Sequence, residues 1–186
     1  YDYTLSQRVD DLEALLDSLD IRDNITLVVH DWGGMIGMAY ATRHPERIAR
    51  LVVLNTSAFH LPDTKMFPWP LWLVRTPLGA VLVRGINAFA AVAARVCCTR
   101  TQMPRELRQA YCAPYNSWQN RIATLRFVQD IPLRPGDRSY DVVSNVENSL
   151  EPFKHKPILV CWGLKDFVFD KHFLRRWEET FADAEI

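Results

Sequence analysis

Leu5, Val9, Leu12, Leu15, Leu16 and Leu19 recur at helical spacing, with Arg8, Asp10, Asp11 and Asp17 on the positions between them. This spacing predicts an amphipathic helix through Asp20 that packs on a sheet and turns those four charges outward. Arg22-Asp23-Asn24 is turn chemistry. Ile25 to Val29 is a short apolar, β-branched run, the pattern of a buried strand. At His30-Asp31 the pattern switches. Trp32-Gly33-Gly34 leads into Met35, Ile36, Met38, Ala39 and Ala41, a helix of small apolar residues ending near His44-Pro45. His44 falls at the helix C-terminus, where the dipole favours a cationic imidazole. Ile48 to Asn55 then reads as a short loop and a second buried strand. Strand, helix, strand at this spacing predicts a right-handed βαβ unit and a parallel sheet.

From Ser57 the pattern changes again. Leu61-Pro62, Pro68-Trp69-Pro70 and Pro77 read as loop punctuation. Leu78 to Cys98 is apolar but interrupted by Arg84, Asn87 and Arg95, which a membrane span tolerates poorly, so two lid helices are expected. Further helices are expected at Pro104 to Tyr111, Trp118 to Val128 and Tyr140 to Phe153. No strand pattern occurs between Ser57 and His155. Pro157 to Gly163 returns to the buried-strand pattern, Phe173 to Phe181 is helical, and Ala184-Glu185-Ile186 reads as the entry to one more strand. The fold class is therefore α/β. Residues 1–56 form a first part of the core, 57–154 an inserted all-helical cap, and 155–186 a second part of the core.

Composition narrows the function. Of 186 residues, 48% are hydrophobic and 24% charged, ordinary for a globular protein. The 22 Lys and Arg balance the 22 Asp and Glu, so nothing points to nucleic acid. Cys97 and Cys98 are adjacent, and Cys112 and Cys161 lie in apolar surroundings. All four are expected to be reduced, in a cytoplasmic protein. No metal-ligand spacing is present. Tyr1-Asp2-Tyr3-Thr4 reads like the interior of a protein, and a chain shortened at both ends is the expectation.

The chemistry centres on Asp31. A strand entering a helix through so tight a turn lifts the central residue above the sheet edge, and small residues must follow where the backbones nearly touch. This is the geometry of the nucleophile elbow G-x-S-x-G, with Asp31 in place of the serine and Val29 in place of the first glycine. A carboxylate is ionised at neutral pH and attacks a saturated carbon without a base. The resulting ester, unlike a serine ether, can be opened by water with a histidine base oriented by a second carboxylate. The backbone N–H of Trp32 is placed to hold an oxyanion. Asp166, three residues past Gly163 at a strand end, is the candidate second carboxylate. The base is harder to find. His30 points away from the nucleophile, His60 and His155 lie in or beside the insertion, and His172 opens the last helix. None follows a strand after Asp166, where the order of this fold puts it, so the catalytic histidine is expected outside the chain and the chain alone is expected to be inactive.

Val28-Val29-His30-Asp31-Trp32-Gly33-Gly34, His44-Pro45-Glu46-Arg47-Ile48, Leu51-Val52-Val53-Leu54-Asn55-Thr56 and Cys161-Trp162-Gly163-Leu164-Lys165-Asp166 resemble the haloalkane dehalogenase family of α/β-hydrolases. The resemblance implies the C-terminal half of that fold. It further implies Asp31 as nucleophile, the Trp32 indole as donor to the leaving halide, Asp166 as the acid behind the histidine, and no metal or organic cofactor. Ala113-Pro114-Tyr115, Ser117 to Arg121, Arg126 to Leu133 and Asp166-Phe167-Val168-Phe169-Asp170 are similar to the β-lactone decarboxylases of olefin synthesis within that family. These share the site but release CO₂ from a long-chain β-lactone to give an alkene. A small apolar substrate is implied, with a homo-oligomer or an olefin-pathway enzyme assembly as protein partners. Trp69, Trp72 and Trp118 are available as a second halide contact, and each reads as core, as does Trp162. Epoxide hydrolases share His-Asp-Trp-Gly-Gly and use lid tyrosines, for which Tyr111, Tyr115 and Tyr140 are available. A non-catalytic binder of apolar ligands is the alternative of another class.

Overall fold

The computed structural model describes residues 1–98 and 100–186. Helix α1 (Leu5–Ser18) starts where the Thr4 side chain accepts a hydrogen bond from the Gln7 N–H at 3.3 Å. Strand β1 (Ile25–Asp31), helix α2 (Trp32–Arg43) and strand β2 (Ile48–Thr56) follow in the expected order. After a long helical stretch comes β3 (Ile158–Cys161). The three strands form a parallel sheet in the order β1-β2-β3, with Val29, Val53 and Val160 in register and buried as one row across it. Where the entry to a further strand was expected, Glu185 forms an isolated parallel bridge with Leu159: its N–H donates to Ile158 O at 2.9 Å and its carbonyl accepts from Val160 N at 2.7 Å.

Two compact units are present. The first comprises residues 1–66 and 132–186. In it α1 packs on α2, and so does α8 (Tyr140–Asn148); α9 (Lys171–Thr180) packs on β2. Trp177 of α9 is fully buried, rests against Phe59 and Phe181, and donates its indole N–H to Thr56 O at 3.0 Å. Helix α9 begins two residues before the predicted Phe173 because Asp170 accepts from the His172 N–H at 3.0 Å and caps it.

The second unit, residues 67–131, is all helical: α3 (Trp69–Val74), α4 (Pro77–Ile86), α5 (Ala88–Val96), α6 (Arg105–Cys112) and α7 (Ile122–Gln129). It is narrower than the expected 57–154. Ala58 and Phe59, and then Val143, Val146, Leu150 and Phe153, are buried in the core that covers the sheet. A helix laid on a sheet and a helix of an insertion have the same apolar period, so the pattern alone could not divide them.

Two expected features of the insertion are corrected. Pro68-Trp69-Pro70 opens α3, because a proline in the first turn of a helix gives up an N–H that has no partner there. Trp69 and Trp72 are exposed, not core: α3 turns Leu71 inward and these two away. Trp118 is also exposed on one side, with the Arg84 guanidinium 4.3 Å over its ring. Arginines tie this unit together. Arg75 donates to Val128, Gln129 and Ile131 carbonyls, and Arg121 to those of Arg84 and Gly85, closing helix ends whose carbonyls lack partners.

Candidate active site

The site starts at the corner between β1 and α2. Asp31 has φ 50° and ψ −126°, a left-handed conformation that costs a non-glycine residue about 1–3 kcal/mol. The corner is held from β2: the buried Thr56 hydroxyl donates to Asp31 O. A Cβ on Gly34 would stand 1.8 Å from Thr56 Oγ1, and one on Gly37 would stand 2.8 Å from Val29 Cγ1. These two glycines let α2 lie against the strands. Gly33 meets nothing within 4 Å, so the expected demand for small residues applies at Gly34 and Gly37 but not there.

The Asp31 side chain reaches solvent, yet enough protein surrounds it that burial raises its carboxyl pKa above the ordinary 3.8. His30 and the Trp32 backbone N–H oppose that shift, and the Asp166 carboxylate adds to it. Asp166 and Asp31, 135 positions apart in the chain, thus lie close enough to feel each other's charge. His30, expected to point away, also lies within electrostatic reach.

Asp166 sits in the loop after β3, which is tied down from two sides. Asn55, near the end of β2, accepts from Gly163 N at 2.7 Å and donates to Gly163 O and Phe169 O, both at 3.0 Å. Lys65, its side chain almost buried, donates to Phe167 O at 3.1 Å and pairs with Asp170 at 2.7 Å. Within this frame Asp166 Oδ1 accepts from Val168 N (2.8 Å) and Phe169 N (3.0 Å), and Oδ2 takes no part in that turn. Neither Asn55 nor Lys65 belongs to a sequence motif for this role. The available signal for Asn55 was an amide closing an otherwise apolar strand. Lys65 gave none.

Among the described residues no histidine bonds to Asp166. His44 meets Glu13 at 2.7 Å at the C-terminal end of α2, where the dipole argument had put it. His60 meets Ser144 Oγ at 2.8 Å and stacks on Tyr140, and burial lowers its pKa. His172 meets Thr64 at 2.9 Å. Trp162, read as sheet core, is half-buried, and its indole nitrogen is enclosed without a partner among the described residues. Arg8, expected to face outward, is buried, with its guanidinium carbon 4.9 Å from the centroid of the Trp32 ring.

Comparison with known proteins agrees with this fold. Residues 1–186 match the family model described as alpha/beta hydrolase fold. The chain is 64% identical over 187 residues to a Shewanella oneidensis protein named cis-3-alkyl-4-alkyloxetan-2-one decarboxylase, covering all of this chain and 59% of that protein. It is 46% identical to a protein of the same name from Xanthomonas campestris, of which it spans 62%. A haloalkane dehalogenase of Mycolicibacterium smegmatis is 34% identical over 139 residues, 70% of this chain and 43% of that one. In structure, the haloalkane dehalogenase DatA of Agrobacterium tumefaciens superposes with a TM-score of 0.83 at 22% identity, over all of this chain and 65% of that one, a likeness of fold.

Proposed function

The chain belongs to the α/β-hydrolase fold family, and from that premise we propose that it carries the nucleophile and acid of an enzyme that forms an ester on Asp31 with an apolar substrate. The observation that carries this reading is a carboxylate at the elbow, held at φ 50° between strand and helix with the Trp32 N–H and a second carboxylate, Asp166, beside it. Trp32 supplies the anion contact, and Asp166 orients a base. Among the described residues none of the chain's five histidines bonds to Asp166.

The 64% identity to a protein named as an oxetan-2-one decarboxylase supports a four-membered lactone with two alkyl chains as substrate. An Asp31 oxygen attacks the ring carbon that bears the lactone oxygen. That C–O bond breaks, and its pair leaves as a carboxylate on the neighbouring carbon. The carboxylate then departs as CO₂. The pair of the broken C–C bond becomes the new double bond, and the ester C–O pair returns to Asp31. Atoms and charge balance without water. On a haloalkane the same attack expels halide with its bonding pair, and water adds to the ester carbonyl to release an alcohol. The 34% relative named haloalkane dehalogenase supports that second use of the site. No disulfide joins Cys97, Cys98, Cys112 or Cys161 among the described residues, which supports a reducing compartment.

The test is the full-length protein with a cis-dialkyl oxetan-2-one. Asp31→Ala should abolish CO₂ release and any covalent mass on the peptide that contains position 31. Unchanged turnover in that variant would overturn the proposal.

A further inference from the structure

Arg8 does not follow the other charges of α1. Asp10, Asp11 and Asp17 are exposed, but Arg8 is only 7% exposed, because it lies on the same flank as Leu5 and Val9, both fully buried. Its Nη2 donates to Tyr3 O at 2.8 Å, which fixes the guanidinium near the N-terminal end of α1. The guanidinium carbon stands 4.9 Å from the centroid of the Trp32 ring, inside the roughly 6 Å reach of a cation–π contact. Trp32 immediately follows Asp31. The ring that meets Arg8 therefore belongs to the residue that opens α2 at the elbow.

A cation over the indole face draws π-density toward itself. The ring nitrogen becomes poorer in electrons, and its N–H becomes a stronger donor to an anion. We propose that Arg8 is a positioning residue that clamps the Trp32 indole and strengthens its hold on the monovalent anion leaving the substrate carbon. This rests on the reading of Trp32 as the anion donor. A halide and a substrate carboxylate share the chemistry required.

The test uses chloride as the probe, its binding to the full-length protein read by chlorine resonance line broadening, with Arg8→Met, Trp32→Phe and the double variant. Arg8→Met should weaken chloride binding about tenfold. In the Trp32→Phe background it should weaken it no further, and Arg8→Lys should restore part of the loss. A merely structural role would instead give the same loss with or without the indole, and that outcome overturns the proposal, as does undiminished binding in Arg8→Met. If Trp32→Phe alone leaves chloride binding unchanged, the reading of Trp32 fails and the inference falls with it. If Trp32→Phe weakens binding but Arg8→Met does not, only the inference fails. Should Arg8→Met unfold, Arg8→Gln, which keeps a donor for Tyr3 O without the charge, carries the same cycle.

Discussion

The Thr56 hydroxyl, at the end of β2, donates to the carbonyl oxygen of Asp31, at the end of β1. The same hydroxyl occupies the space above Gly34. One threonine therefore satisfies the carbonyl of the strained residue and sets how closely α2 approaches the sheet. Its own carbonyl accepts from the buried Trp177 indole, which links the elbow to α9.

This arrangement separates the two adjacent glycines. Gly34→Ala puts a Cβ 1.8 Å from Thr56 Oγ1 and should destabilise the fold by about 1–3 kcal/mol, the usual cost of overpacking. Gly33→Ala meets nothing within 4 Å and should be neutral or stabilising by up to about 1 kcal/mol through helix propensity. Urea unfolding of the two variants checks the contrast.

Asp31 should cost stability when it ionises. Burial, with Asp166 adding to it and His30 and the Trp32 N–H only partly opposing it, leaves its folded-state pKa above 3.8, so the folded state binds this proton more tightly than the unfolded state does. The resulting stabilisation is fully present below pH 3.8 and is lost as pH rises through the higher folded value. Asp31→Asn should therefore raise the melting temperature at pH 7, and the gain should shrink to nothing as pH falls below 3.8. Thermal unfolding across that range is the measurement, and a gain that grows at low pH would contradict it.

Asn55 should control the acid loop. Asn55→Leu keeps the volume but removes three hydrogen bonds to Gly163 and Phe169, a loss of about 1–3 kcal/mol. The amides of Val168 and Phe169, which bond to Asp166, should lose protection in hydrogen exchange, while the β1 amides keep theirs.

Heavy-oxygen water distinguishes the two substrate readings. Fragmentation of an oxetan-2-one ester returns the original oxygens to Asp31. Hydrolysis of an alkyl ester places a solvent oxygen in its carboxylate, because water adds at the ester carbonyl. A single turnover with an oxetan-2-one should leave the Asp31 peptide unlabelled, whereas turnover of a haloalkane should label it. Mass spectrometry of that peptide reads both.

The candidate site residues were legible in the chain because local pattern marks the corners they occupy. A β-branched run cut off at Asp31 and followed by glycines reads as a strand turning sharply into a helix, and the spacing from Gly163 to Asp166 reads as a second strand end. The parallel order of β1, β2 and β3 follows from the same periods and from the helical connections between them. Tertiary structure decided the rest. Asp31 and Asp166 act on each other because the sheet aligns two strand ends distant in sequence. Asn55 and Lys65 hold the acid loop through backbone carbonyls, which have no sequence identity to read. Arg8 sits at the boundary of an amphipathic face, where a hundred degrees of helix rotation leaves inward and outward undecided until Trp32 is packed against it. Periodicity fixes which residues share a face; only packing fixes what that face meets.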